Sequence, residues 1–176
     1  MRLIRKILMA VIAFFLVELY IDSNMLVVSK INIKDKKIPE SFNGYKILHL
    51  SDLHSKSFGD KNVDLISKID EINPDLIVIT GDMVNCNDTN FDNFFNLAKA
   101  LAKKYKIYYI VGNHEQNMKE ENKNTIFDFL KANGIMILDN EKAIIEKNEE
   151  EINLYGSWCN LRYYSARESG EKYDLF

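Results

Sequence analysis

The chain has 176 residues, 47% of them hydrophobic and 28% charged, with a formal net charge of −3. That suffices for one domain with its own core plus an appendage, and the slight acidic excess leaves no basic patch to neutralise phosphates, so no nucleic-acid partner is expected. Only 2 prolines and 7 glycines exclude a linker, and the 2 cysteines, Cys86 and Cys159, are too few for a disulfide framework and are expected to be reduced.

Arg2, Arg5 and Lys6 precede an uninterrupted apolar run from Ile7 to Val17, and Glu18 and Asp22 then interrupt its continuation to Val28. A spanning helix needs about 20 mostly apolar residues. Residues 7–28 have that length, so residues 1–28 are expected to form an uncleaved membrane anchor. Basic residues ahead of the span place the N-terminus inside and the following domain, residues 29–176, on the extracytoplasmic side. A cleaved signal peptide and a buried helix of the globular domain are the competing readings.

Val27 to Lys34 alternates Val27, Ser29, Ile31 and Ile33 on one face and predicts a strand. Pro39 and Gly44 punctuate the loop to the apolar strand that starts at Ile47 and runs into Asp52 and His54. In extended backbone, residues i and i+2 point the same way, so these two side chains are expected to converge past the strand end. A carboxylate and an imidazole together suit a divalent ion such as Mn, Fe or Zn. His49, inside the strand, reads as a packed strand histidine.

Val63, Leu65, Ile66, Ile69 and Ile72 fall at helical spacing, and Asn73-Pro74 ends that helix. Leu76 to Thr80 is a continuous apolar run, as expected of a strand covered on both faces, and it ends in Gly81-Asp82. A second helix carries Phe91, Phe94, Phe95, Ala98, Leu101 and Ala102 as core residues. A third strand begins at Ile107 and ends in Gly112-Asn113-His114-Glu115. Alternating strands and helices give an α/β fold with a parallel sheet, whose ligand site lies at the carboxyl ends of the strands.

Farther on, Thr125-x-x-Asp128 reads as the start of a helix closed by Gly134. Ile135 to Leu138 reads as a fourth strand. The segments Ala143–Glu146 and Ile152–Tyr155 read as a hairpin around the solvated turn that holds Glu149, Glu150 and Glu151.

The ordered motifs Asp52-x-His54, Gly81-Asp82 and Gly112-Asn113-His114-Glu115 resemble those of the calcineurin-like metallophosphoesterases, over roughly residues 45 to 160. The wording Leu50-Ser51-Asp52-Leu53-His54 is similar to the membrane-associated bacterial branch of that family. The resemblance implies a parallel sheet flanked by helices, about half of a four-layer αββα sandwich, with the hairpin opening the second sheet. It also implies hydrolysis of a phosphomonoester, phosphodiester or pyrophosphate, lipid- or envelope-linked in that branch, by a dimetal-activated water. Two divalent cations (Mn, Fe or Zn) would then be held by Asp52 and His54 for the first metal, Asp82 as the bridge, and Asn113 for the second. His114 would be the catalytic residue beside the phosphate.

The family completes its site with a downstream His and a Gly-His-x-His motif, whereas the 3 histidines of this chain are His49, His54 and His114. The expectation is therefore a C-terminally incomplete domain, its N-terminal half, with weak metal occupancy and an open apolar sheet face suited to self-association. The alternative is a catalytically inactive, truncated and membrane-tethered remnant acting as an association module.

Overall fold

The computed structural model describes residues 2–157. The chain divides into two units, Met1–Lys34 and Asp35–Phe176. The first holds helix α1, Arg2–Asn24, formed by the apolar run the sequence predicts. Its large apolar side chains, among them Ile7, Leu8, Phe14, Phe15 and Leu19, are exposed. The expected span is not supported: among the described residues no helix is long and apolar enough to cross a membrane. The eleven-residue run from Ile7 to Val17 covers about 16 Å at helical rise, against a hydrocarbon core of about 30 Å. The strand expected over Val27–Lys34 is also absent, and residues 25–35 have no regular structure. Alternation alone does not make a strand, because its backbone groups need a partner to pair with.

The second unit is built on a parallel sheet of β1 (Ile47–Leu50), β2 (Leu76–Ile79), β3 (Ile107–Tyr109) and β4 (Met136–Ile137), in that spatial order. Between the strands run α2 (Val63–Ile72), α3 (Asp92–Ala102), the short α4 (Asn113–Gln116) and α5 (Glu120–Ala132). Strands added one after another on the same side, joined by right-handed crossovers, place their helices on one face of the sheet.

The alternation within β2 and β3 sorts the core into two layers. Ile77, Ile79, Ile107 and Tyr109 are buried on the helix face, where the Tyr109 ring lies 6.0 Å from that of Phe94 on α3. Phe95 stacks on Phe129 at 3.8 Å between centroids and ties α3 to α5. On the opposite face Leu76 and Tyr108 pack with Phe42, Leu138 and Ile145, flanked by Val78, Ile110, Ala143, Ile152 and Leu154. The last three and Ile145 come from an antiparallel hairpin, β5 (Glu141–Lys147) and β6 (Glu150–Gly156). The hairpin thus lays the beginning of a second sheet on the first. It comes close enough that a side chain at Gly156 would put its Cβ 2.2 Å from Cβ of Leu138.

Helix α5 starts at Glu120 rather than near Thr125, whose hydroxyl donates to the Glu121 carbonyl at 2.9 Å from inside the helix. Glu120 and Glu121 supply the negative charge that the first helical turn favours. His49 is exposed rather than packed, and its Nε2 lies 2.6 Å from Oγ1 of Thr80. β1 stands at the end of the strand order, and Ile47, in register with Leu76, is also 47% exposed.

Candidate metal centre

Three loops leave the carboxyl ends of β1, β2 and β3, and their backbones are pinned to one another. The amides of Asp52, His54 and Ser55 donate to the carbonyls of Gly81 (3.2 Å), Asp82 (3.0 Å) and Met83 (2.9 Å). Asp52, His54 and Ser55 have φ of 57°, 47° and 62°. Their convergence therefore does not come from strand alternation, which ends at Leu50. It comes from left-handed turns held by this ladder, a backbone state that non-glycine residues adopt only when their surroundings impose it.

The loops after β2 and β3 meet at two glycines. Gly81 has φ 84°, and a Cβ there would sit 2.1 Å from the Gly112 nitrogen; a Cβ on Gly112 would sit 2.3 Å from Oδ1 of Asp82. Glycine is required at both, for left-handed backbone at the first and for the close approach at each.

The ligand atoms of Asp52, His54 and Asp82 all lie within 4.8 Å of one another. Oδ1 of Asp52 is 3.9 Å from Nε2 of His54, and both side chains face solvent. Asp82 is buried, and its Oδ1 accepts the His114 backbone N–H at 2.8 Å. Nδ1 of His54 lies 3.2 Å from Oδ1 of Asn85, while Nδ2 of that amide donates to the His54 carbonyl and to Asp88. The amide oxygen can only accept, so Nδ1 of His54 donates to it and Nε2 is the nitrogen turned toward the two carboxylates. Imidazoles that bind metals are oriented by such a bond on their other nitrogen. Two carboxylates and one oriented imidazole fit a hard or borderline divalent cation.

His114 stands next to this cluster, its ring 4.6 Å from that of His54 and edge-on to it. Its Nδ1 accepts the backbone N–H of Cys86 at 3.1 Å. Asn113 is exposed at the first position of α4, between Gly112 and His114, so the same loop carries it to the same edge.

The sequence reading assigned no role to several residues that shape this site. Asp88 accepts hydrogen bonds from the Ser55 hydroxyl and from the backbone and side chain of Asn85. Partial burial pushes its carboxyl up, but those bonds outweigh burial and hold it below the usual carboxylate range. Glu115 is fully buried and accepts three backbone N–H groups, from Asp82, Met83 and Gly112. Its position three residues after Gly112 is the capping-box spacing, the one local signal that pointed to it. Burial pushes the neighbouring Tyr109 phenol well above its ordinary range, and the charge of Glu115 adds to this. Cys86 is a half-buried free thiol, and Cys159 lies outside the described residues.

The family model for calcineurin-like phosphoesterases matches residues 45–173, most of the chain and all three loops. The chain belongs to this family. Among curated relatives, an uncharacterized metallophosphoesterase of Campylobacter jejuni is 31% identical over 65% of this chain and 31% of its own length. The phosphodiesterase YaeI of Escherichia coli is 32% identical over 64% of this chain and 43% of its own. A transmembrane protein with a metallophosphoesterase domain from Danio rerio is 28% identical over 72% of this chain and 30% of its own. The chain thus spans less than half the length of the curated relatives it matches. Among solved structures, a phosphopantetheinyl hydrolase of Mycobacterium tuberculosis aligns with a TM-score of 0.43 and 15% identity, over 63% of this chain and 41% of that one.

Proposed function

We propose that this phosphoesterase-family chain hydrolyses a phosphate ester, with Asp52, His54, Asp82 and Asn113 as the residues that would hold divalent cations. The observation that carries the reading is the Asp52–His54–Asp82 cluster, with Nε2 of His54 turned into it by Asn85. When bound, the cations supply Lewis-acid activation of water and neutralise charge on the phosphate. The chain does the rest. The His114 amide orients the Asp82 carboxylate, and Nδ1 of His114, occupied by the Cys86 N–H, leaves the ring proton on Nε2. From there His114 donates a hydrogen bond to a phosphate oxygen and stabilises the charge that develops on the phosphate.

The test is hydrolysis of a chromogenic phosphodiester by the full chain with added Mn²⁺, beside its Asp82→Ala variant. Activity that depends on Mn²⁺ and is lost in the variant is the expected result. A folded wild-type chain that binds Mn²⁺ and turns over no phosphomonoester, phosphodiester or pyrophosphate overturns the catalytic reading. It leaves the association module, which the exposed β1 face around Ile47 favours.

We further propose that α1 holds the domain at a membrane on the extracytoplasmic side. The exposure of its apolar side chains supports this, since water does not favour such a surface, and Arg2, Arg5 and Lys6 suit anionic headgroups. Protease digestion of intact cells checks the orientation, and full protection of residues 35–157 overturns it.

A further inference from the structure

Asp82 occupies an unfavourable backbone state, with φ 52°, at the point where the loops after β2 and β3 touch. A residue in this state stays put only if something outside it over-determines the conformation. Two neighbouring residues of α4 do so from opposite ends. The His114 N–H takes Oδ1 of the side chain at 2.8 Å, and Glu115 takes the Asp82 backbone N–H on Oε2 at 2.9 Å.

Glu115 does more than cap its own helix. Oε2 also accepts the Gly112 N–H at 3.0 Å, and Oε1 accepts the Met83 N–H at 2.9 Å. One carboxylate therefore bridges two loops, and it is 0% exposed. A buried carboxylate is strongly disfavoured unless hydrogen bonds compensate it, and three amide donors converging on two oxygens suit an anion. Capping α4 alone requires only the bond to Gly112. The two bonds to the Asp82 loop serve that loop, and that loop carries a ligand of the cluster.

We propose that Glu115 is the positioning residue of the site. Its buried carboxylate ties the loop after β2 to the loop after β3 and so fixes the Asp82 carboxylate against Asp52 and His54 before a cation arrives. This rests on the metal-site reading above and adds to it the statement that the site is pre-formed by a residue that binds no metal. The same bonds would otherwise have to form as the cation binds, at the expense of its affinity.

The experiment measures Mn²⁺ affinity of the full chain and the visible spectrum of its Co²⁺ complex, for wild type, Asp82→Asn, Glu115→Gln and Glu115→Asp. Far-UV circular dichroism and metal-free thermal unfolding establish that each is folded. Glutamine keeps the shape but presents an amide N–H₂ to a backbone donor. Glu115→Gln is expected to weaken Mn²⁺ binding at least ten-fold and alter the Co²⁺ spectrum while folded, with Glu115→Asp recovering part of both. Folded Glu115→Gln with wild-type affinity and spectrum overturns the proposal. If Glu115→Gln does not fold, amide hydrogen exchange of metal-free wild type decides. Slow exchange at Asp82, Met83 and Gly112 supports the pre-formed bridge, and exchange at the rate of open loops overturns it. Wild type binding no better than Asp82→Asn overturns the metal reading itself, an outcome distinct from the loss of Glu115's role alone.

Discussion

The backbone N–H of Cys86 donates to Nδ1 of His114 at 3.1 Å, joining the loop after β2 to the imidazole nearest the cluster. A nitrogen that accepts cannot carry the proton of the neutral ring, so that proton is on Nε2. Nitrogen-15 shifts of His114 are expected to show the Nε2–H tautomer. Cys86→Ala keeps the amide and leaves the tautomer unchanged, whereas Cys86→Pro removes the donor and mixes the tautomers. In active protein, His114→Ala is expected to lower kcat by about 10²–10³-fold, the usual cost of removing one donor to charge that develops in the transition state.

Gly81 and Gly112 are the closest contact between the second and third loops. Gly81→Ala is expected to destabilise by at least about 1–3 kcal/mol, because left-handed backbone at a non-glycine residue costs that much before the clash with Gly112 is added. Urea unfolding measures it. The same substitution at Gly44, which has positive φ but open space around it, is expected to cost less.

Asp88 makes acid stability testable. Its carboxyl titrates below its ordinary value in the folded chain, so the stability it contributes is complete above the unfolded-state value of about 3.9 and is lost as the pH falls toward the lower folded value. Urea midpoints measured from pH 5 to pH 3 are expected to fall more steeply for wild type than for Asp88→Asn. Equal slopes would show that the bonds from Ser55 and Asn85 do not hold the charge.

The hairpin offers a test of register. Ile145 is buried against Leu76 and Tyr108, while its neighbour Ile144 is 42% exposed on the other side of β5. Ile145→Ala is expected to cost about 2–5 kcal/mol, as for large-to-small changes in a core. Ile144→Thr, away from that core, is expected to stay within about 0.5 kcal/mol. Thermal denaturation of the two variants distinguishes them, and equal losses would mean that the hairpin is slipped by one residue.

What was legible in the sequence depended on neighbours a few residues apart. Val63 to Ile72 at helical spacing, the run Leu76 to Ile79, and the alternation around Ile145 each record one burial pattern, and each became the predicted element. The motif residues Asp52, His54 and Asp82 were found because strand ends in a parallel sheet share an edge. Reading failed where the answer depended on a partner outside the local pattern. Val27 to Lys34 alternates like a strand but pairs with none among the described residues, and His49 reads as core but lies exposed on β1, at the end of the strand order. Only the tertiary structure decided how the site is held. The turns at Asp52 and His54, Asn85 on Nδ1 of His54, Cys86 on His114 and the Asp82 and Met83 amides on Glu115 join residues about thirty apart in the chain. Hydrogen bonds at that separation leave no periodicity in the sequence, because they arise only once the sheet has brought its loop ends together.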